Sequence, residues 1–78
     1  MVLENVIKIV AESWGIRESE IDESTVMEQV ETWDSLTHME LIANLESEYQ
    51  TEFTVDEIME MISVKKIVEM VEARVNGN

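Results

Sequence analysis

The sequence predicts a small all-α protein, a bundle of three main helices and one short helix with a long loop between helices 1 and 2. Apolar residues recur at helical spacing in separate segments, and no segment alternates for long with the period of a strand. Residues typical of helix N-termini precede several of these segments. The chain has 78 residues and no cysteine, so we expect a single domain, residues 1–78, without disulfides or zinc ribbons.

The first helix is predicted over residues 3–14. Its apolar face comprises Leu3, Val6, Ile7, Val10 and Trp14. Ile9 lies off this face in the predicted pattern, and Gly15 is a plausible stop. This segment therefore predicts an amphipathic helix with charged residues toward solvent.

Residues 16–33 are too irregular in their apolar spacing for one helix. Thr25 and Glu28 fit a capping box, which predicts a short helical turn over residues 26–30. A connection this long is usually long for a functional or topological reason. It ends directly before Asp34 and Ser35.

The second helix is predicted from about Ser35 to about Gln50. Asp34 is a favoured N-cap residue, because its carboxylate accepts backbone N–H groups of the first turn. The predicted core stripe comprises Leu41, Ile42, Leu45 and Tyr49. Leu36 and Met39 belong to a neighbouring stripe that the core covers less completely. Both core packing and partner binding remain open for Met39.

Two further helices complete the prediction. Thr54 and Glu57 form a capping box before a short helix, and Ser63 is a plausible N-cap of the last one. The last helix carries apolar residues at helical spacing, namely Val64, Ile67, Val68, Val71 and Val75.

The charge distribution is strongly acidic, with a formal net charge of -13. Between Arg17 and Lys65 there are 14 Asp and Glu residues and no Lys or Arg. Such a field repels nucleic acid and anionic lipid and attracts basic protein surfaces. A plain solubilising role for the acidic residues is the alternative. No segment is long and apolar enough to span a membrane, and no signal peptide is evident, so we expect a cytoplasmic protein.

Asp34, Ser35 and His38 bring together the residue types of a serine hydrolase. However, a triad needs an oxyanion hole and a carboxylate that orients the histidine, and an N-cap aspartate is already engaged with backbone donors. We therefore expect His38 to be a solvated side chain and predict no catalytic residue and no enzymatic activity. A metal site is not predicted, because the acidic run at residues 18–23 lacks the pattern of a calcium loop.

Ser35 is the more informative residue. It stands at the first helical position with an exposed hydroxyl and the positive end of the helix dipole behind it. A phosphate attached there would meet free N–H groups and a favourable field.

At these residues the sequence resembles the acyl carrier protein family, including the related peptidyl carrier domains. The match covers essentially the whole chain, including the helix order and the long first loop. The residues that carry it are Asp34-Ser35-Leu36, Glu40-Leu41, Leu45-Glu46, Tyr49 and Glu57-Ile58.

The resemblance implies that Ser35 receives 4′-phosphopantetheine from coenzyme A through a magnesium-dependent phosphopantetheinyl transferase. The thiol of that arm would hold cargo as a thioester. Asp34 and Leu36 match the flanking motif positions, Met39 matches the apolar recognition position, and Glu40 and Glu46 match acidic ones. These five residues are therefore the predicted partner-binding residues.

The predicted function is that of a stand-alone carrier, monomeric, that presents an acyl or aminoacyl group to acyl-activating, acyl-transferring or condensing enzymes with basic docking patches. Trp33, Thr37, His38 and Gln50 depart from the pattern of the fatty-acid carriers. We expect these changes to alter the surface around the arm and to favour a specialised biosynthetic pathway, although Trp33 also fits plain core packing. The alternative function is an unmodified acidic helical adaptor that binds a basic partner through the second helix.

Overall fold

Four α-helices build the structure, a computed structural model that describes residues 2–76. Helix α1 spans Val2–Trp14, α2 spans Ser35–Tyr49, α3 spans Val55–Glu60 and α4 spans Val64–Asn76. Two 3₁₀ turns, Glu18–Glu20 and Met27–Gln29, lie in the loop between α1 and α2. The predicted all-α class, the helix order and the long loop are confirmed. Residues 1, 77 and 78 of the predicted domain lie outside the described residues.

The core lies between α1, α2 and α4, and helix α1 packs against both of the other long helices. Each long helix contributes side chains that are fully buried: Val6, Val10, Leu41, Leu45, Val64, Ile67 and Val71. These positions follow the helical spacing of the sequence, so the amphipathic pattern places the core correctly.

The buried face of α1 is broader than predicted. Ile9, which the pattern placed off the apolar face, is buried, whereas Leu3 and Ile7 are only partly covered. The prediction for Ile9 was wrong because α1 packs against two helices, α2 and α4, so its buried face is wider than one stripe. Gly15 ends α1 as predicted: it adopts a φ of 71°, and its N–H donates to the carbonyl of Ala11 at 2.9 Å.

The 3₁₀ turn Met27–Gln29 is not capped by the predicted pair of residues. Thr25 does not cap toward Glu28; its Oγ1 accepts the N–H of Asp22 at 3.0 Å. The side chain of Gln29 accepts the N–H of Val26 at 3.2 Å and closes the turn. The predicted Thr25–Glu28 box was therefore wrong, because the sequence pattern does not tell which of several polar side chains reaches the free N–H groups.

Backbone hydrogen bonds fix the long loop to the connection between α3 and α4. The N–H of Met27 donates to the carbonyl of Ile62 at 2.8 Å, and the N–H of Val64 donates to the carbonyl of Thr25 at 2.9 Å. Val26 and Ser63 thereby form an isolated antiparallel bridge. These bonds attach the loop to the residues at the start of α4. They thereby fix the path of the chain toward α2.

The predicted caps of α3 and α4 are confirmed. Thr54 Oγ1 accepts the N–H of Glu57 at 3.1 Å, and the Glu57 carboxylate accepts the N–H of Thr54 at 2.8 Å. Ser63 Oγ accepts the N–H of Lys66 at 3.1 Å. At the end of α2, Gln50 adopts the left-handed region with φ 51°. That conformation favours glycine and costs free energy for a residue with a side chain.

Candidate functional site

Ser35 is the first residue of α2 and is exposed. The chain reaches it through Trp33, which is buried in the core, and Asp34, which caps the helix. The change from a buried aromatic to an exposed hydroxyl therefore occurs within two residues. This arrangement places Ser35 at the surface, as the sequence predicted.

The first turn of α2 is held by a reciprocal capping box. Thr37 N–H donates to Asp34 Oδ1 at 3.0 Å, and Asp34 N–H donates to Thr37 Oγ1 at 2.8 Å. The Thr37 hydroxyl also donates to the carbonyl of Thr32 at 2.7 Å, which joins the loop to the helix. Thr37 is thus a structural part of the helix start.

Asp34 changes the electrostatics expected around Ser35. The backbone N–H of Thr37 lowers the pKa of the Asp34 carboxyl below its ordinary value of 3.8, so the group is negatively charged at neutral pH. The N–H groups of this turn were expected to be free for a phosphate, but Asp34 already engages that of Thr37. A phosphate on Ser35 would still lie at the positive end of a long helix dipole, with an anionic cap beside it.

Trp33 and His38 form a buried aromatic junction. The Trp33 ring stacks on Trp14 of α1 with ring centroids 4.0 Å apart and an interplanar angle of 30°. Trp33 Nε1–H donates to His38 Nδ1 at 2.9 Å, and His38 Nε2 lies 2.9 Å from the carbonyl oxygen of Ile58 in α3. Since an indole N–H can only donate, His38 Nδ1 accepts and Nε2 carries the proton that is donated to Ile58.

Two predictions about these residues were therefore wrong. His38 was expected to be a solvated side chain, but it is only 8% exposed. Trp33 and His38 were expected to alter the surface around the arm, but both side chains are buried, which for Trp33 confirms the alternative of plain core packing. Hydrogen bonding inside the junction explains this, because a polar side chain can be buried when its partners are present.

The geometry argues against a hydrolase. Ser35 is exposed, whereas both ring nitrogens of His38 point to partners in the interior. A general base must reach the hydroxyl it deprotonates, and this imidazole has no nitrogen left for that task.

The predicted partner-binding residues are not all alike. Leu36 is 70% exposed and Met39 is 53% exposed, and Glu40 is exposed beside them. Glu46 is only half-exposed, since its carboxylate accepts the N–H of Phe53 at 2.9 Å. Four of the five predicted residues, Asp34 included, thus lie on open surface, while Glu46 also supports the loop after α2.

Sequence reasoning missed an apolar surface on α3 and the residues that follow it. Val55, Met59 and Ile62 are exposed to 71%, 69% and 53%. Their spacing of four and three residues was the available signal, since it places them along one side of a helix. Together with Leu36 and Met39 they give the protein five exposed large apolar side chains on or next to α2 and α3.

An open apolar groove of about 700 Å³ lies between the long loop and the start of α4. Its apolar walls include Met27, Val30, Trp33 and Ile62. Trp33 is therefore shared between this groove and the junction that positions Ser35.

Within residues 2–76 no helix is long and apolar enough to cross a membrane. The same residues hold no group of three or more His, Asp or Glu side chains arranged to bind a metal ion.

A comparison with protein families agrees with this site. The family model described as a phosphopantetheine attachment site matches residues 4–71 of the chain. The protein therefore belongs to the family of phosphopantetheine attachment domains, of which the acyl carrier proteins are members. Domains of this family carry 4′-phosphopantetheine covalently and are non-catalytic; they interact with a phosphopantetheinyl transferase and with biosynthetic enzymes.

Proposed function

We propose that Ser35 is the residue that receives 4′-phosphopantetheine, and that the protein is a stand-alone carrier of an acyl or aminoacyl thioester. The observation that supports this most strongly is the position of Ser35. It is an exposed hydroxyl at the first residue of α2, inside the residues 4–71 that match the family. The helix dipole there favours the phosphate that links the arm to the protein.

The residues present fit the group. Attachment forms a phosphodiester bond between Ser35 Oγ and phosphopantetheine, while the pyrophosphate bond of coenzyme A breaks and adenosine 3′,5′-bisphosphate leaves. The transferase supplies the base that takes the serine proton, since His38 is engaged in the interior. The chain has no cysteine, so the thiol of the arm is the thiol on which cargo is held.

The exposed surface next to Ser35 supports the proposed partners. Leu36 and Met39 present apolar side chains, and Asp34 and Glu40 present negative charge beside them. A partner with an apolar patch ringed by basic residues is complementary to this surface. We propose that Glu46 contributes charge at the edge of the same surface. Acyl-activating, acyl-transferring and condensing enzymes are the partners that this function requires.

The pathway is proposed to be a specialised one, because Trp33, Thr37, His38 and Gln50 differ from the pattern of the fatty-acid carriers. Three of these four residues, Trp33, Thr37 and His38, make contacts that support the start of α2. Their effect is therefore on the helix start more than on the exposed surface. A monomeric state, a single domain over residues 1–78 and a cytoplasmic location stay predictions.

The attachment residue is tested by incubating the purified protein with coenzyme A, magnesium and a permissive phosphopantetheinyl transferase. We expect the intact mass to rise by one phosphopantetheine in the wild type and to stay unchanged in Ser35→Ala. Ser47→Ala is a matched control, because Ser47 is an exposed serine on the same helix, and it should be modified like the wild type.

Modification of Ser35→Ala would move the attachment to another residue and overturn the proposal. An unmodified wild type whose partner binding weakens with salt and ignores coenzyme A would favour the acidic adaptor instead. The mass of the protein purified from its own host identifies the cargo and with it the pathway.

A further inference from the structure

Helix α3 is held differently from the other helices. None of its six residues, Val55–Glu60, all of which the structure describes, is buried. Polar side chains from other helices contact two adjacent residues in its middle: Arg74 of α4 pairs with Glu57, and His38 of α2 contacts the carbonyl of Ile58. With little apolar burial of its own, the helix depends on such ties for its position.

His38 is the tie that connects α3 to the Ser35 end of α2. Its imidazole uses both nitrogens, accepting from Trp33 with Nδ1 and donating to Ile58 with Nε2. The bond from Trp33 fixes the tautomer that the bond to Ile58 requires. Trp33, which stacks on Trp14, therefore determines that His38 Nε2 carries the proton donated to α3.

The residues beside this bridge face solvent. Met39 follows His38 and is exposed, and Met59 follows Ile58 and is exposed. The hydrogen bond between His38 and Ile58 is thus made by residues that each directly precede an exposed methionine, one on each helix. A change in this bond would shift the surface of α3 relative to that of α2 without touching Ser35.

We propose that His38 is a positioning residue for the modification of Ser35: it fixes α3 against the first turn of α2, so that both helices present one surface to the transferase. This inference rests on the proposed function, and it assigns to His38 a role in recognition in addition to its place in the core. The contact with the transferase is made by the exposed side chains, and His38 acts through them.

The bridge gives a specific expectation for substitutions. His38→Phe keeps a ring of similar size but leaves the buried Trp33 N–H without an acceptor and Ile58 without the imidazole donor. Trp33→Phe keeps an aromatic ring on Trp14 and removes the donor that fixes the His38 tautomer. His38→Gln retains an amide N–H that can donate to the Ile58 carbonyl, so it tests for partial rescue.

The experiment measures steady-state kinetics of phosphopantetheine transfer, with the full-length unmodified protein as the varied substrate. We expect His38→Phe and Trp33→Phe to raise KM roughly threefold to tenfold with kcat nearly unchanged, because recognition is lost while the hydroxyl is intact. His38→Gln should fall between these variants and the wild type. Val71→Ala is the control, since it removes a buried methyl pair from the α4 core and should lower stability without changing KM.

A spectroscopic measurement reports on the bridge itself. In the wild type, ¹⁵N spectra should show His38 Nδ1 unprotonated and Nε2 protonated, and the Trp33 indole proton should exchange slowly with solvent. This measurement keeps the proposal testable if His38→Phe fails to fold.

Equal KM values for the wild type and the two phenylalanine variants would overturn the inference, as would a His38 protonated on Nδ1. A rise of KM in Val71→Ala as large as in His38→Phe would reduce His38 to a stabilising residue. These failures differ from failure of the proposed function, in which the wild type itself would not be modified.

Discussion

Helices α2 and α3 are joined by the hydrogen bond between His38 and the carbonyl of Ile58, yet they are stabilised in different ways. Helix α2 buries His38, Leu41, Ile42 and Leu45 along its length. Helix α3 fully buries none of its six residues, all of them described. It is held by a capping box, by the partly buried Ile58 against the core and by polar side chains of α2 and α4. A helix held by many buried side chains keeps its position when one contact is lost. A helix held by a few hydrogen bonds can be released by breaking one of them. The difference makes α2 the rigid support of Ser35 and α3 the adjustable part of the surface.

The largest expected effect comes from truncating the core of α2. Leu45→Ala removes a side chain that is fully buried and should lower the free energy of unfolding by about 2–5 kcal/mol. Met59→Ala on α3 should change it by less than about 0.5 kcal/mol, because Met59 is largely exposed. Urea denaturation followed by circular dichroism measures both. Similar losses in the two variants would contradict the contrast between the helices.

Arg74 provides the second test, because it reaches α3 from α4. Its guanidinium pairs with Glu57, donates to the carbonyl of Glu52 at 3.2 Å and lies 5.4 Å from the centre of the Phe53 ring. Arg74→Ala should cost about 1–2 kcal/mol, since these contacts are partly shielded from water. Lys66→Ala is the control; its exposed pair with Glu69 spans 3.9 Å and should contribute almost nothing.

The two capping boxes separate local from global effects. Asp34→Ala and Thr54→Ala each remove a cap worth about 1 kcal/mol. The loss at Asp34 should appear in the global free energy of unfolding, because α2 is part of the core. The loss at Thr54 should appear mainly as faster amide hydrogen exchange within α3. Faster exchange spread equally over all four helices in Thr54→Ala would argue against a separately held α3.

A smaller effect is expected at the C-terminal end of α2. Gln50 has φ 51°, so Gln50→Gly should raise the free energy of unfolding by about 0.5–1 kcal/mol. Gly15→Ala is the matched control, because a Cβ there would meet nothing within 4 Å and only the positive φ opposes it. It should be destabilising, and thermal unfolding measures both changes. A loss of stability in Gln50→Gly would show that its side chain makes a contribution larger than the backbone cost.

The smallest effect concerns pH and again compares the two caps. Backbone N–H groups, of Thr37 for Asp34 and of Thr54 for Glu57, lower the pKa of each carboxyl below its ordinary value of 3.8 or 4.5. The stabilisation is therefore present above these values and is lost as the pH falls through the folded-state pKa values. The stability difference between the wild type and Glu57→Gln should shrink below pH 4.5. Denaturation at a series of pH values checks this, and a difference independent of pH would contradict it.

The sequence predicted those features that depend on neighbours along the chain. The caps Asp34, Thr54 and Ser63 and the stop at Gly15 involve partners three or four residues away, and each was predicted correctly. The amphipathic spacing also located the buried faces of the long helices, apart from Ile9.

Apart from the Thr25–Glu28 capping box, which is a local error, the errors concern contacts between distant parts of the chain. His38 was assigned to solvent because its second partner, the Ile58 carbonyl, is 20 residues away. The pairing of Arg74 with Glu57 spans 17 residues and gives no signal in the sequence. Backbone carbonyls are the same in every residue, so no pattern of side chains can show which of them a histidine will reach.

The stacking of Trp14 on Trp33 gives the protein an optical probe of its own site. These are the only two tryptophans of the chain, and their rings are close enough for the electronic transitions of the two indoles to couple. Because one ring belongs to α1 and the other lies two residues before Ser35, the coupling exists only while these two segments remain together. The ultraviolet circular dichroism of the unlabelled protein therefore reports the relative arrangement of the Trp14 and Trp33 rings. It can be followed during modification, cargo loading and partner binding.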